Sequence, residues 1–464
     1  MRAPSTSSAR YCRGDPAICV IGAVAATMLF LAGPVMSLEF DILQIDEGLR
    51  MNQDVVISDS GMVAWSASST NDLAFTVSAL VVWQEGEMRE ISAGHPDPHA
   101  EHIRPRVWGD QVVWGSSYPG HWSGIPSWVL VDVPDQHTPY PELDAQYRVT
   151  RVLDNLGGGT NEVTQFFSLR EDPPTEEGEE APIPRRVHRT PSGDKEILFW
   201  PGEGEFQRIT WDTRNDINPT IGDGILAYQK ARGFPFGWEI MVYDIETEER
   251  WQITTNRYYD MGPQAFGSLV TWYGWDGEDY EIYLYDHSDR SITQVTDNRF
   301  DDESPRIWGE NIVWEGFATV EPDVYFWSRP EGRVRRISRN VEQDVNPRVW
   351  ETYVVWQSFD GDDYEILFID TSREMDPIKV TQNAFDDINP YIRDGTICWM
   401  GYVDNFDAEI FVTTVDRILN QEPPIQLTDN THEDQNPRTA AGRVVWQSSE
   451  NGRSPVYLAI PRQR

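Results

Sequence analysis

One phrase recurs through the C-terminal half of this 464-residue chain, and it constrains the fold more than any other feature. At residues 216–228 it reads DINPTIGDGILAY, and it returns as DMGPQAFGSLVTW, DESPRIWGENIVW, DVNPRVWETYVVW, DINPYIRDGTICW and DQNPRTAAGRVVW. Its prolines, Pro219, Pro263, Pro305, Pro347, Pro390 and Pro437, stand 44, 42, 42, 43 and 47 residues apart. A period of that size is expected when one small sheet is built per repeat and neighbouring sheets bury each other's faces.

Each repeat resolves into four strand-like pieces. In the clearest one, 304–308 and 311–315 form a hairpin about a Gly-containing turn, 323–327 gives a third strand and 333–338 a fourth. Apolar and polar residues alternate through these runs. Upstream, 104–114 (RPRVWGDQVVW) fits the same register, and 55–65 (VVISDSGMVAW) fits with Val in the proline slot. Between Trp114 and Tyr228 there is room for one degenerate unit, with its first hairpin near 152–168 and later strands at Glu196–Trp200 and Phe206–Thr210. The expectation is therefore an all-β chain, a single β-propeller of eight to nine four-stranded blades, with nine favoured. The last repeat lacks an outer strand, and residues 41–45 have the spacing to supply it, which closes the ring and removes an open sheet edge. The proline suits the innermost strand, where no donor is needed on one side, and the closing aromatic sits mid-sheet between neighbouring blades. The 34 glycines, 31 prolines and 19 tryptophans agree with many short strands and tight turns.

Two segments fall outside the repeats. Arg2, Arg10 and Arg13 precede an apolar run from Ala17 to Gly33, and Val35-Met36-Ser37 offers a small-residue cleavage site. Residues 1–37 thus read as a signal peptide, with an uncleaved anchor helix as the alternative. The rest of the chain, 38–464, is the propeller, without a stable membrane span after cleavage, in a periplasmic or secreted protein that is expected to be a monomer. Residues 171–194, rich in Pro, Glu and Gly, read as a disordered insertion. Cleavage leaves Cys398 alone in the pattern Thr396-Ile397-Cys398-Trp399, where it reads as a small buried hydrophobe without a disulfide partner. The formal charge of −38 disfavours nucleic acid as a partner.

The segment Gln294-Val295-Thr296-Asp297-Asn298, then Asp302-x-x-Pro305 and Val313-Trp314, together with Asp360-Gly361-Asp362-Asp363-Tyr364-Glu365-Ile366, resembles the repeats of TolB-like propellers, a branch of the bacterial WD-type repeat proteins. That resemblance implies an exported binding protein without catalysis. It departs from TolB in having no α/β domain before the repeats and no Ser-Pro-Asp-Gly turn in the first hairpin.

Three groups of residues carry candidate chemistry. His95, His99 and His102 lie together in the connection between the first two blades and could hold a metal, or be incidental members of a Pro-containing exposed loop. Asp216, Asp260, Asp302, Asp344, Asp387 and Asp434 each precede their proline by three residues. They would form a ring of ligand-binding carboxylates, calcium being the cation such a ring would take, or else each caps its own turn. The loops Asp276-Gly277-Glu278-Asp279 and Asp360-Gly361-Asp362-Asp363 resemble calcium loops in composition but lack the twelve-residue EF-hand frame, and read as solvated hairpin turns. No G-x-S-x-G nucleophile elbow occurs. The functional expectation is a non-catalytic scaffold, without an obligatory cofactor, that recognises a protein or glycan through its face loops and channel. A carbohydrate-active enzyme, a polyuronate lyase or glycoside hydrolase, is the alternative.

Overall fold

The proline phrase folds as the inner hairpin of a sheet. In blade 5, Asp302–Trp308 pairs antiparallel with Asn311–Gly316, which pairs with Asp323–Ser328, which pairs with Arg333–Arg336. The structure is a computed structural model. It describes residues 38–462 except 47–50, 71–75, 94, 96–99, 118–129, 133–145, 154–160, 169–184, 188–194, 212–213, 233–236, 339, 341, 405–406 and 451. The signal peptide read at 1–37 and most of the insertion read at 171–194 lie outside the described residues. From Phe40 onward the chain clusters as one unit.

Eight such four-stranded antiparallel sheets stand in a ring. Blade 1 is built from Met51–Ile57, Val63–Thr70, Thr76–Gln84 and Glu87–Glu90, and blade 2 from Glu101–Trp108, Gln111–Ser117, Lys195–Trp200 and Gln207–Arg208. Blades 3 to 7 open at Asp216, Asp260, Asp302, Asp344 and Asp387. Blade 8 uses Glu433–Ala440, Arg443–Ser449 and Val456–Pro461, and its outer strand is the N-terminal Phe40–Gln44, paired from Phe40↔Pro461 to Gln44↔Tyr457. Val55, Trp65 and Val81 of blade 1 share a core with Val445, Val456 and Leu458 of blade 8, so the ring closes by packing as well as by hydrogen bonds.

The blade count is eight and not nine. Lys195–Trp200 pairs directly with Gln111–Ser117, from Lys195↔Ser117 to Trp200↔Val112. It is therefore the third strand of blade 2, and not part of a separate unit. Residues 118–194 leave and re-enter at one hairpin turn. They carry two further strand pairs of their own, Gln146–Leu153 with Asn161–Ser168 and Leu130–Asp132 with Arg185–Val187, outside any blade sheet. A long insertion between the second and third strands displaced the later half of blade 2 by more than a repeat length, which imitates an extra unit.

Two local devices recur. First, the inner strand of every blade carries a bulge just before the proline position, as between Glu303 and Arg306 or Val345 and Arg348. The bulged residue is Asp54, Arg104, Asn218, Gly262, Ser304, Asn346, Asn389 or Asn436, with φ between 51° and 63°. Asn and Gly are the residues that enter this left-handed region at least cost, which explains the D-x-N-P spelling. A bulge also tolerates a proline and re-aims the side chains after it. Second, in blades 1 to 7 the third strand is tied to the fourth by a hydroxyl: the backbone N–H of Ile282 donates to Thr296 Oγ1 at 2.8 Å, that of Ile366 to Thr381 at 2.8 Å, and that of Ile410 to Thr428 at 2.9 Å. Tryptophans 65, 114, 272, 314, 356, 399 and 446 are fully buried between sheets. Cys398 is buried, and burial pushes its thiol up to about 12, as a packed hydrophobe requires. Among the described residues no helix is long and apolar enough to cross a membrane.

Candidate functional site

The bulge decides what lines the channel. The residue after each proline emerges from the bulge on the inner strand, and in four blades it is arginine: Arg106, Arg306, Arg348 and Arg438. With Arg104 and Arg393 they line a cavity of about 390 Å³ whose only carboxylates among the described residues are Asp54 and Asp59. Asp59 is paired with the Arg393 guanidinium, and Asp54 accepts the backbone N–H of Arg104 at 3.0 Å. Each of the four central guanidiniums donates from Nη1 to the carbonyl of its own preceding proline, at 2.9, 2.9, 2.9 and 2.8 Å. None of the four takes part in an ion pair among the described residues.

Electrostatically this is a positive well inside an acidic molecule. Enclosure by the channel wall first, then the neighbouring Arg438 and Arg306, push Arg106 down to about 10, although its side chain stays open to solvent along the channel. Burial and the same mutual repulsion push Arg348 well below the ordinary arginine range, and burial lowers Arg306. Guanidinium keeps its proton in proteins, so the unfavourable environment is expressed as attraction for an anion and not as loss of charge. Arg438 lies over the Tyr391 ring, 5.2 Å from its centroid.

Above the arginines the strand ends form an aromatic belt. Phe266 of blade 4 lies 4.3 Å from Trp308 of blade 5, and Trp308 lies 6.5 Å from Trp350 of blade 6, centroid to centroid. Trp108 of blade 2 reaches Phe266 at 5.2 Å across blade 3, whose equivalent position is Gly222. A Cβ on Gly222 would stand 2.3 Å from the carbonyl oxygen of Gly267, so a side chain there is excluded. Arg393 stacks over Trp308 at 4.0 Å. Cationic groups beside an arc of flat apolar faces from four blades suit a ligand that combines negative charge with an apolar or planar surface.

The six repeated aspartates stand at one register position, buried, and none lines this cavity. Asp260, Asp302, Asp344, Asp387 and Asp434 each accept the indole N–H of the tryptophan twelve residues on, at 2.9, 2.7, 2.7, 2.7 and 3.2 Å. The Asn four residues earlier donates to the same carboxylate, as Asn298 does to Asp302 and Asn383 to Asp387. Burial pushes Asp260 up to about 6, and Asp302 and Asp387 up to about 7. Asp216 sits at 3.9 Å from the Lys230 ammonium, with Tyr228 in the tryptophan position. In blade 2 the register position belongs to His102, whose Nδ1 accepts the Trp114 indole at 3.1 Å. Burial, reinforced by His95, pushes His102 down to about 3, so it is held neutral. The His95 and His102 rings meet edge to face at 5.2 Å, and His99 lies outside the described residues. Sequence reasoning missed the channel arginines, although their signal, Pro-Arg in four of the eight repeats, was present.

The fold defines this protein as an eight-bladed β-propeller. No family model matches the sequence, and no relative among curated proteins does either. Solved structures resemble it in fold. Dipeptidyl peptidase 4 of Porphyromonas gingivalis matches with a TM-score of 0.53 at 8% identity, over 89% of this chain and 58% of that one. The β-propeller domain of the Trilobed protease from Pyrococcus furiosus matches with a TM-score of 0.46 at 11% identity, over 78% of this chain and 95% of that one. TolB from Acinetobacter baumannii matches with a TM-score of 0.35 at 14% identity, over 59% and 60%.

Proposed function

We propose that this protein is an exported, non-catalytic binding propeller with TolB-like repeats that takes a carboxylate- or sulfate-bearing ligand into its central channel. One observation carries the reading: Arg106, Arg306, Arg348 and Arg438 converge on one cavity without ion-pair partners among the described residues, in a chain of formal net charge −38. A molecule so acidic gains nothing in general surface charge from a cationic cluster drawn together in its channel, whereas a bound anion offsets the mutual repulsion of guanidiniums that stay open to the channel. The aromatic belt supplies the apolar contacts that fix orientation. The leader-like residues 1–37 and the repeat phrasing support export and the TolB-like assignment.

The test is calorimetric titration with citrate in 0.15 M NaCl, for the parent and an Arg306→Gln, Arg348→Gln double variant. Saturable binding in the parent, weakened at least tenfold in the variant, supports the reading. Titrations with tri-galacturonate and with a tetraglutamate peptide then show which ligand class carries the acid groups. Turnover of tri-galacturonate by the parent would move the protein to the enzyme alternative.

A further inference from the structure

In blade 4 the turn joining Leu269–Trp275 to Tyr280–Asp286 folds Asp276 and Asp279 against Glu281. One carboxylate oxygen from each lies within 4.8 Å of the others. Oxygens bound to a common calcium ion at 2.3–2.6 Å can stand no more than about 5 Å apart, so the triangle has the size of a coordination sphere. Asp279 is 6% exposed and Glu281 0%. Among the described residues neither carboxylate oxygen of Asp279 has a hydrogen-bond partner; Glu281 is served by the Thr296 hydroxyl, and its Oε1 accepts the backbone N–H of Asn298 at 2.7 Å. A buried carboxylate without a donor is costly. Here the cost is compounded, because Asp276, Asp301, Glu278 and Asp297 all repel Asp279, and none of the charges that act on it most strongly is cationic.

Blade 6 supplies an internal comparison. Asp360, Asp363 and Glu365 repeat the triad, but there the Lys379 ammonium lies 3.1 Å from Asp360 Oδ2. In the aligned position blade 4 has Gln294, and where blade 6 has Gln382, blade 4 has Asp297. One blade brings its own cation; the other lacks the lysine and has a carboxylate more.

We propose that Asp276, Asp279 and Glu281 bind a divalent cation of the calcium class. The donors are all hard oxygens, with neither imidazole nor thiolate, which excludes a preference for zinc or copper. Magnesium holds on to several of its waters, whereas two of these three ligands are dehydrated by burial; calcium, with longer and more adaptable bonds, fits them better. The ion fixes the turn between the second and third strands of blade 4 and neutralises the charge that the turn concentrates. This site is separate from the channel arginines and stands or falls independently of them.

The experiment is calorimetric titration of EDTA-treated, desalted full chain with CaCl₂ in 0.15 M NaCl, with MgCl₂ in parallel. The expected result is one saturable calcium site per chain, at least tenfold weaker for magnesium. Asp279→Asn should weaken it at least tenfold, raise the metal-free melting temperature by removing the unpaired charge, and abolish the calcium-induced rise. Gln294→Lys, which copies the blade 6 solution, should fold normally and also lose the site. The pair Lys379→Gln with Gln382→Asp should create a second one. Absence of saturable calcium binding, or unchanged affinity in both Asp279→Asn and Gln294→Lys, overturns the proposal.

Discussion

The indole Nε1 of Trp314 donates to Oδ1 of Asp302 across 2.7 Å, and both side chains are buried. The pair joins the start of a blade's innermost strand to the end of its second, and it recurs in blades 4 to 8. It connects two of the most regular letters of the repeat. The aspartate accepts what would otherwise be an orphaned indole N–H in the blade interface, and the tryptophan fills that interface. Asp302→Ala leaves the Trp314 N–H and the Asn298 amide without an acceptor and opens a cavity, so it should cost about 2–4 kcal/mol in urea unfolding, more than loss of a simple turn cap. Asp302→Asn keeps an acceptor oxygen and should cost less than half of that. An alanine variant within about 0.5 kcal/mol of the parent would remove the lock from the account.

The same burial sets a pH dependence. Asp260, Asp302 and Asp387 rise from an ordinary value of 3.8 to about 6, 7 and 7. A carboxyl raised on folding contributes stability that is complete below its unfolded value and is lost as pH climbs through its folded value. His102 works the other way: lowered from 6.5 to about 3, its contribution is present above 6.5 and is lost as pH falls towards 3. Three carboxyls outweigh one imidazole between pH 8 and pH 5, so the melting temperature should rise over that interval on acidification. In 0.15 M salt an Asp302→Asn, Asp387→Asn variant should show a visibly shallower rise than the parent; equal slopes would assign the effect to general charge repulsion.

Blade 2 predicts tolerance to a large deletion. Ser117 and Lys195 face each other across one antiparallel ladder, so the chain between them can be replaced by a short Asn-Gly turn. The shortened protein should keep its far-ultraviolet circular dichroism per residue and melt within a few degrees of the parent. Loss of cooperative unfolding would mean that residues 118–194 belong to the ring after all.

Ring closure depends on five residues. Phe40–Gln44 covers the edge of Val456–Pro461, and Asp46 accepts the Val456 N–H at 2.7 Å. Deleting 38–46 should leave that edge unpaired, lower the melting temperature sharply and promote aggregation on heating. A truncated chain that melts like the parent would show that packing between blades 1 and 8 closes the ring unaided.

What could be read from the sequence follows these contacts. The Pro and Trp of each repeat are exposed to a strict local requirement, a bulge on the inner strand and a plug between blades, and they are spelled almost invariantly from Pro219 to Trp446. Blade 2 departs because His102 replaces the aspartate and because its third strand arrives only at Lys195, so in the sequence its halves look like two units. The arginines were hidden by averaging: a net charge of −38 describes the surface, while Arg306 and Arg348 sit where the ring brings distant repeats together. The acidic turn of blade 4 looked like a solvated hairpin because burial of Asp279 and Glu281 depends on neighbouring strands and not on their own spacing.

The central claim is that the channel receives an anion. Its most direct measurement is a crystal of the parent protein soaked in selenate at near-physiological ionic strength, with data collected at the selenium edge. An anomalous peak within hydrogen-bonding distance of the Arg306 and Arg348 guanidiniums, absent from the Arg306→Gln, Arg348→Gln variant, is the predicted result. Selenate bound only at the outer surface, with the channel arginines bridged by water alone, would contradict it.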